Sequence, residues 1–237
     1  MKWFKLLGLF VFLEFTFLTL CNAQAGLLVL IFGDKVASEN FHLSLDAGLT
    51  ISDLPGLDQG SSGAGFYFGL GTYIKLTDKW SLAPEFKPVS PLKIRGLNDV
   101  FMGIEIQDPD AYIKINYIDV PVLLQYQMSR RFSIAAGPQI SFLNSSKLVT
   151  TGKLSTGESV EIKENLKPIM NDYHFQIPLQ LSYALSTMRG GKGLDIKLRY
   201  NFGLGDVFSN NELYSSNTSV WQIFVSFPFI NSSETKE

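Results

Sequence analysis

Residues 117–126 read YIDVPVLLQY and residues 174–183 read HFQIPLQLSY. In both, apolar residues alternate with Asp, Gln, Ser or Pro, and each closes on a tyrosine five residues after a proline. A period of two is the signature of a strand with one greasy and one polar face. Pro121 and Pro178 are out of place there, because proline cannot donate to a strand ladder. Local bulges are expected at both, with an interior polar network or water satisfying the carbonyl left without a donor. Pro84, Pro88 and Pro138 raise the same difficulty.

Working outward, the same alternation recurs eight times. Strands are expected at Phe41–Ile51, Gly65–Leu76, Trp80–Pro91, Tyr112–Gln127, Arg131–Phe142, Tyr173–Ala184, Leu194–Gly203 and Ser219–Phe229. The links after the second, fourth and sixth are brief: Thr77–Lys79, Met128–Arg130 and the glycine-rich Arg189–Gly193. Those after the first, third, fifth and seventh are long: Ser52–Ala64, Leu92–Ala111, Leu143–Asp172 and Leu204–Thr218. Alternating short and long links belong to up-and-down barrels of the outer membrane, with tight periplasmic turns and longer outer loops. The expected fold is all-β: an eight-stranded antiparallel up-and-down transmembrane β-barrel over residues 41–229. An even number of strands brings both ends of the barrel to the periplasmic side.

The ends of the chain agree with export. Lys2 and Lys5 precede an apolar run from Leu6 to Leu20, followed by Cys21, Asn22 and Ala23. This is the pattern of a signal peptide, residues 1–23, cleaved after Ala23 or alternatively after Ala25. At about 15 residues, interrupted by Glu14, the run is too short for a spanning helix. Cleavage removes the only cysteine, so disulfides, thiolate metal sites and cysteine nucleophiles are excluded from the mature chain. The formal charge moves from −2 to −3 as two lysines and one glutamate leave, which is no balance for binding nucleic acid. Residues 24–40 are left unassigned, and residues 230–237 form a polar tail.

Which face meets lipid is the next question. In the first strand Phe41, Leu43, Leu45, Ala47, Leu49 and Ile51 share one face, with His42, Ser44, Asp46, Gly48 and Thr50 on the other. In the seventh, Leu194, Ile196, Leu198, Tyr200 and Phe202 oppose Asp195, Lys197, Arg199 and Asn201. An apolar face turned to lipid makes the polar one a lumen. There Asp46, Glu85, Asp119 and Asp195 are expected to pair with Lys75, Lys87, Lys197 and Arg199. Small inward residues (Ser44, Gly69, Gly71, Ala83, Ala135, Gly137) complete a plugged interior, since eight strands leave room only for side chains. A soluble lipocalin-like periplasmic barrel would carry the inverse pattern, and a small-ligand or solute-passing barrel is a further alternative.

Aromatic side chains on the apolar faces sort to strand ends. Trp80, Tyr126, Phe132, Tyr183 and Phe229 fall at the periplasmic end, and Phe66, Phe142, Phe175, Phe202 and Trp221 at the outer one. Two interfacial girdles are the expected reading. The partners implied are outer-membrane lipid and proteins met at the outer loops. No catalytic, cofactor or metal residues are indicated. The mature chain's two histidines, His42 and His174, fall at opposite ends of the barrel, about 30 Å apart, and cannot share a dyad or a metal. Gly65, Gly69 and Gly71 lie within a strand, whereas a dinucleotide fingerprint must open a helix.

YIDVPVLLQY with the following FSIAAGPQISFL, FHLSLDAGLTIS near the start and LRYNFGLGDV near the end resemble the PorT-like outer-membrane β-barrel family. The likeness spans Phe41 to Phe229. It implies an integral, non-enzymatic barrel of the bacterial outer membrane, some members of the family being associated with secretion or gliding machinery. The polar tail after Phe229 departs from the terminal aromatic that such barrels tend to carry.

Overall fold

The computed structural model describes residues 40–55, 60–97, 107–154, 156–189, 192–209 and 217–229. Residues 1–23, expected as a signal peptide, the 230–237 tail and most of the 24–40 segment lie outside them. Among the described residues ten strands form: β1 (Phe41–Asp53), β2 (Ser61–Lys75), β3 (Trp80–Arg95), β4 (Gln107–Gln127), β5 (Phe132–Ala136), β6 (Gln139–Lys153), β7 (Ser159–Asn165), β8 (Tyr173–Arg189), β9 (Lys192–Gly203) and β10 (Ser219–Phe229). They pair antiparallel in the order β3-β2-β1-β10-β9-β8-β5-β4, and β3 also pairs with β4. That last pairing closes a ring. β5 and β6 are successive parts of one stave, because both pair with β4 and with β8. The ring therefore has eight staves, and β7 stands outside it, paired only to the outer part of β6.

Two of the short turns are held by hydroxyl side chains. Thr77 Oγ1 accepts from the Trp80 amide at 3.0 Å, and Ser129 Oγ accepts from the Phe132 amide at 3.2 Å. Such residues favour turns because the hydroxyl stands in for a backbone partner.

Three expectations need correction. Leu143–Asp172 is not a plain loop: β6 continues to Lys153, returns as β7, and ends in a 3-10 turn at Lys167–Ile169. Val149↔Lys163 and Thr151↔Glu161 register that hairpin, so its backbone groups satisfy each other above the ring. Nor do Pro121 and Pro178 create bulges. Leu124↔Ala136 and Pro121↔Gln139 keep one register along β4, and Leu179↔Ala136 and Gln176↔Gln139 keep one along β8. Pro138 lies between these pairs, and its carbonyl accepts from the Val122 amide at 2.9 Å. Successive residues of a strand point their amides to opposite neighbours, so each proline thins one ladder without slipping it. The slip falls at Pro88, between Lys87↔Asp119 and Ser90↔Tyr117. Below it Ala83, Glu85 and Lys87 turn inward; above it Ser90, Leu92 and Ile94 do. A single extra residue has exchanged the faces of β3.

The third correction concerns what fills the lumen. Its outer half holds an apolar cluster, in which Leu92, Ile94, Ile113, Ile115 and Tyr117 meet Leu166, Met170, Val207 and Phe208, beside the buried polar His174, Gln176 and Thr218. Residues 166–171 and 206–209 form a cap over that end. A Met170↔Phe208 bridge joins them, and Asn171 Nδ2 donates to the Asp206 and Phe208 carbonyls at 2.9 and 3.2 Å.

Closure of the ring depends on Gly48, which sits between Tyr67 of β2 and Phe224 of β10. Those rings meet edge to face with centroids 5.2 Å apart. A Cβ on Gly48 would come within 2.3 Å of the Ile223 carbonyl oxygen and of Phe224 Cβ. Gly48→Ala is expected to cost about 1–3 kcal/mol by overpacking the seam between first and last strand. The urea midpoint of the protein folded into vesicles measures it; an unchanged midpoint would show that the seam yields freely.

Candidate functional site

Large apolar side chains stand open around the ring. Leu49, Phe66, Phe86, Leu124, Ile134, Phe175, Leu179, Leu181, Leu198, Trp221, Ile223 and Phe227 are all exposed on its outside. Charged and polar groups are inside. Asp46, Glu85, Lys87, Asp119, Arg199, Gln176, Gln180 and Gln222 are buried. The lipocalin-like alternative demands the reverse and is set aside.

At the centre of the lumen Glu85 of β3 faces Arg199 of β9, which is four strand pairings away along the ring. Arg199 Nη1 and Nη2 donate to the two Glu85 carboxylate oxygens at 2.8 and 2.6 Å, a two-pronged geometry that lysine cannot supply. Lys87 Nζ lies 3.3 Å from Glu85 Oε2 and donates to Gln222 Oε1 at 3.3 Å. Gln180 accepts from Arg199 Nε at 2.9 Å and also from Nη2, and donates to Ser182 Oγ at 3.0 Å. Phe224 lies among the cations, its ring centre 5.0 Å from the Arg199 guanidinium carbon, 5.4 Å from Lys87 Nζ and 5.7 Å from Lys197 Nζ. An aromatic face attracts cations, more so where water is excluded. Small neighbours make the space: a Cβ on Gly69 would lie 2.7 Å from Lys87 Cγ.

Of the eight charges expected in the lumen, Lys75 lies at its short-turn mouth. It stands at the rim, 35% exposed, paired with Asp78 of the adjoining turn at 2.9 Å. Their hydrogen bond, with the lysine charge behind it, holds the Asp78 carboxyl below its ordinary pKa. Proximity within the turn wins because the inward position there opens to water. Asp195 and Lys197 are half-buried toward the same end, and Asp46, Glu85, Lys87, Asp119 and Arg199 lie deep. Deeper in the lumen than Lys75, Asp46, Glu85, Asp119 and Asp195 lie with Lys87, Lys197 and Arg199.

Beneath this cluster a polar vestibule of about 450 Å³ opens at the short-turn end, lined by His42, Tyr73, Gln125, Ser133, Ser182 and Asp195. A recess of about 50 Å³ extends it as far as Glu85. His42 stacks on Tyr73 with ring centroids 4.5 Å apart, and His174, toward the outer end, bonds Thr218 Oγ1 through Nε2 at 2.7 Å. Among the described residues no three His, Cys, Asp or Glu side chains gather as a metal site would need.

The aromatic residues assigned to girdles lie on the outer wall, save Phe229, whose side chain is outside the described set. Trp80 packs on Tyr126 (4.8 Å) and Phe132 on Tyr183 (4.7 Å) at the short-turn end. Phe142 packs on Tyr173 (5.6 Å) toward the outer end, and Trp221 on Tyr200 (4.8 Å). Tyr173 and Tyr200 were not assigned to a girdle from the sequence, although outward parity and neighbouring aromatics could have found them. Phe224 and Tyr67 were missed because inward aromatics have no charge pattern to mark them.

A closed ring, greasy outside and ionic within, with tight turns at one end and built-up loops at the other, defines a transmembrane β-barrel. The family model for the outer membrane protein beta-barrel domain matches residues 32–209, and the chain belongs to that family. Its place is the bacterial outer membrane. Among solved structures it is similar to Neisserial surface protein A (13% identity, 81% of this chain and 97% of that one, TM-score 0.41). The attachment invasion locus protein Ail of Yersinia pestis is similar at 11% identity, over 80% and 99% of the chains, with TM-score 0.41. Outer membrane protein OprG from Pseudomonas aeruginosa is similar at 11%, over 82% and 98%, also with TM-score 0.41. These likenesses concern fold alone. No curated protein matches the chain.

Proposed function

We propose that this barrel conducts nothing, catalyses nothing, and serves as a membrane-held platform that binds protein partners through its outer loops. The observation that carries this is the double seal of the lumen. The Glu85–Arg199 pair and its surrounding amides occupy the middle, and an apolar cluster lies above them under the 166–171 and 206–209 cap. A solute entering the vestibule meets the buried ion pairs and, above them, side chains packed against the apolar cluster. What remains for recognition is the surface beyond the ring, where the β6–β7 hairpin displays Glu161, Lys163 and Glu164. The PorT-like resemblance supports a narrower form, in which the partners belong to secretion or gliding machinery.

Vesicles carrying the folded protein are expected to release small ions and sugars no faster than empty vesicles. Stepwise conductance would overturn the sealed-lumen reading and favour the solute-passing alternative. Replacing residues 154–158 and the flanking hairpin by a tight turn should leave the barrel folded and abolish capture of partners cross-linked on intact cells. Undiminished capture would move the binding surface elsewhere.

A further inference from the structure

Above the apolar wall, β3, β4 and β6 carry an unusual row. Lys93 is registered with Lys114, and Lys114 with Lys147, so three lysines stand abreast on adjacent strands. Their neighbours Leu92, Ile94, Ile113, Ile115 and Leu148 are buried inside, which turns the lysines to the outer face. The row ends at Asn165 of β7 on one side and lies against Gly63 of β2 on the other, and no carboxylate stands in it. The next row outward adds Arg95 beside Tyr112 and Lys163 beside Val149. Lys163 is satisfied by Glu161 at 2.8 Å, and Lys93 Nζ is held over the Tyr112 ring at 3.9 Å.

Like charges directly opposite on paired strands repel, with Cα atoms only about 5 Å apart. Three in succession call for an anion. Below them comes one polar row, where Asn116 Nδ2 donates to Ser145 Oγ at 2.9 Å, and below that the hydrocarbon of Ile118, Phe142 and Val89. An anion reaching this row from the side therefore approaches along the membrane, at head-group depth, with its own hydrocarbon lying on the wall beneath.

We propose that Lys93, Lys114 and Lys147, with Arg95 beside them, bind the phosphorylated head group of an outer-leaflet lipid. This assignment rests on the orientation of the barrel and not on its partner-binding role. The geometry favours lipid over free phosphate because the lysines flank the apolar outer wall of Ile118, Phe142 and Val89.

The test is native mass spectrometry of the full-length folded protein released from micelles containing phosphorylated lipid A or its dephosphorylated form. The wild type is expected to retain phosphorylated lipid A and not the dephosphorylated form. Retention should fall about fivefold for each lysine replaced by glutamine, on the order of a hundredfold for Lys93→Gln/Lys114→Gln/Lys147→Gln. The corresponding triple arginine variant should keep it. If the triple glutamine variant does not fold, Lys114→Gln alone carries the comparison. Equal retention by glutamine variant and wild type, equal retention of dephosphorylated lipid, or complete displacement by inorganic phosphate would each overturn the proposal.

Discussion

Glu85→Gln is expected to destabilise the barrel by about 3–5 kcal/mol, the cost of stranding buried charge. The substitution keeps the shape and removes the anion. Arg199 is wholly buried and Lys87 is 1% exposed, so neither can turn to water once the carboxylate is gone. Gln180 and Gln222 offer dipoles, which orient the cations without neutralising them. Double substitution separates this from loss of packing: Glu85→Gln with Arg199→Met should cost less than the sum of the two single changes, because it deletes both partners. Urea unfolding of protein refolded into vesicles, followed by tryptophan fluorescence, measures all three variants. A Glu85→Gln midpoint indistinguishable from wild type would mean that the centre of the lumen is wet enough to screen the pair. The sealed-lumen reading would fall with it.

The contrast between that cluster and the apolar plug above it shows how far the sequence could be read. Alternation in β1 and β9 is uninterrupted, so lipid and lumen faces follow directly from composition. Glu85 and Arg199 could be assigned to the lumen, though not to each other, because strand separation around a ring is not written in any local pattern. In β3 the parity is exchanged at Pro88, where a proline marks trouble without saying whether the ladder thins or slips. Pro121, Pro138 and Pro178 thin it; Pro88 slips it. Past the slip, Leu92 and Ile94 face inward, and their partners Val207 and Phe208 arrive from a segment more than a hundred residues away. The β6–β7 hairpin was obscured for another reason. Its strands carry Lys, Glu, Thr and Asn, and the usual apolar beat is absent.

Leu198→Lys is expected to prevent stable insertion, and it tests the orientation of the wall more directly than any lumen variant. Leu198 is registered between Leu181 of β8 and Ile223 of β10, and all three are exposed. Its neighbour Arg199 occupies the middle of the lumen, which places Leu198 near the middle of the hydrocarbon layer. A lysine there costs roughly 2–4 kcal/mol, falling toward zero near the interfaces. Met128→Lys, in an exposed short turn, makes the same chemical change outside the hydrocarbon and should be neutral. Folding yield into vesicles, read from the heat-dependent shift in gel mobility, should collapse for the first variant and stay at the wild-type level for the second. In detergent micelles, where water reaches the wall more readily, the gap between them should narrow. Equal yields in vesicles would mean that the surface around Leu198 does not face lipid, because no soluble environment penalises an exposed lysine on a strand. The comparison therefore isolates the one force that sorts this chain inside out: hydrocarbon outside the ring, which makes charge affordable only within it.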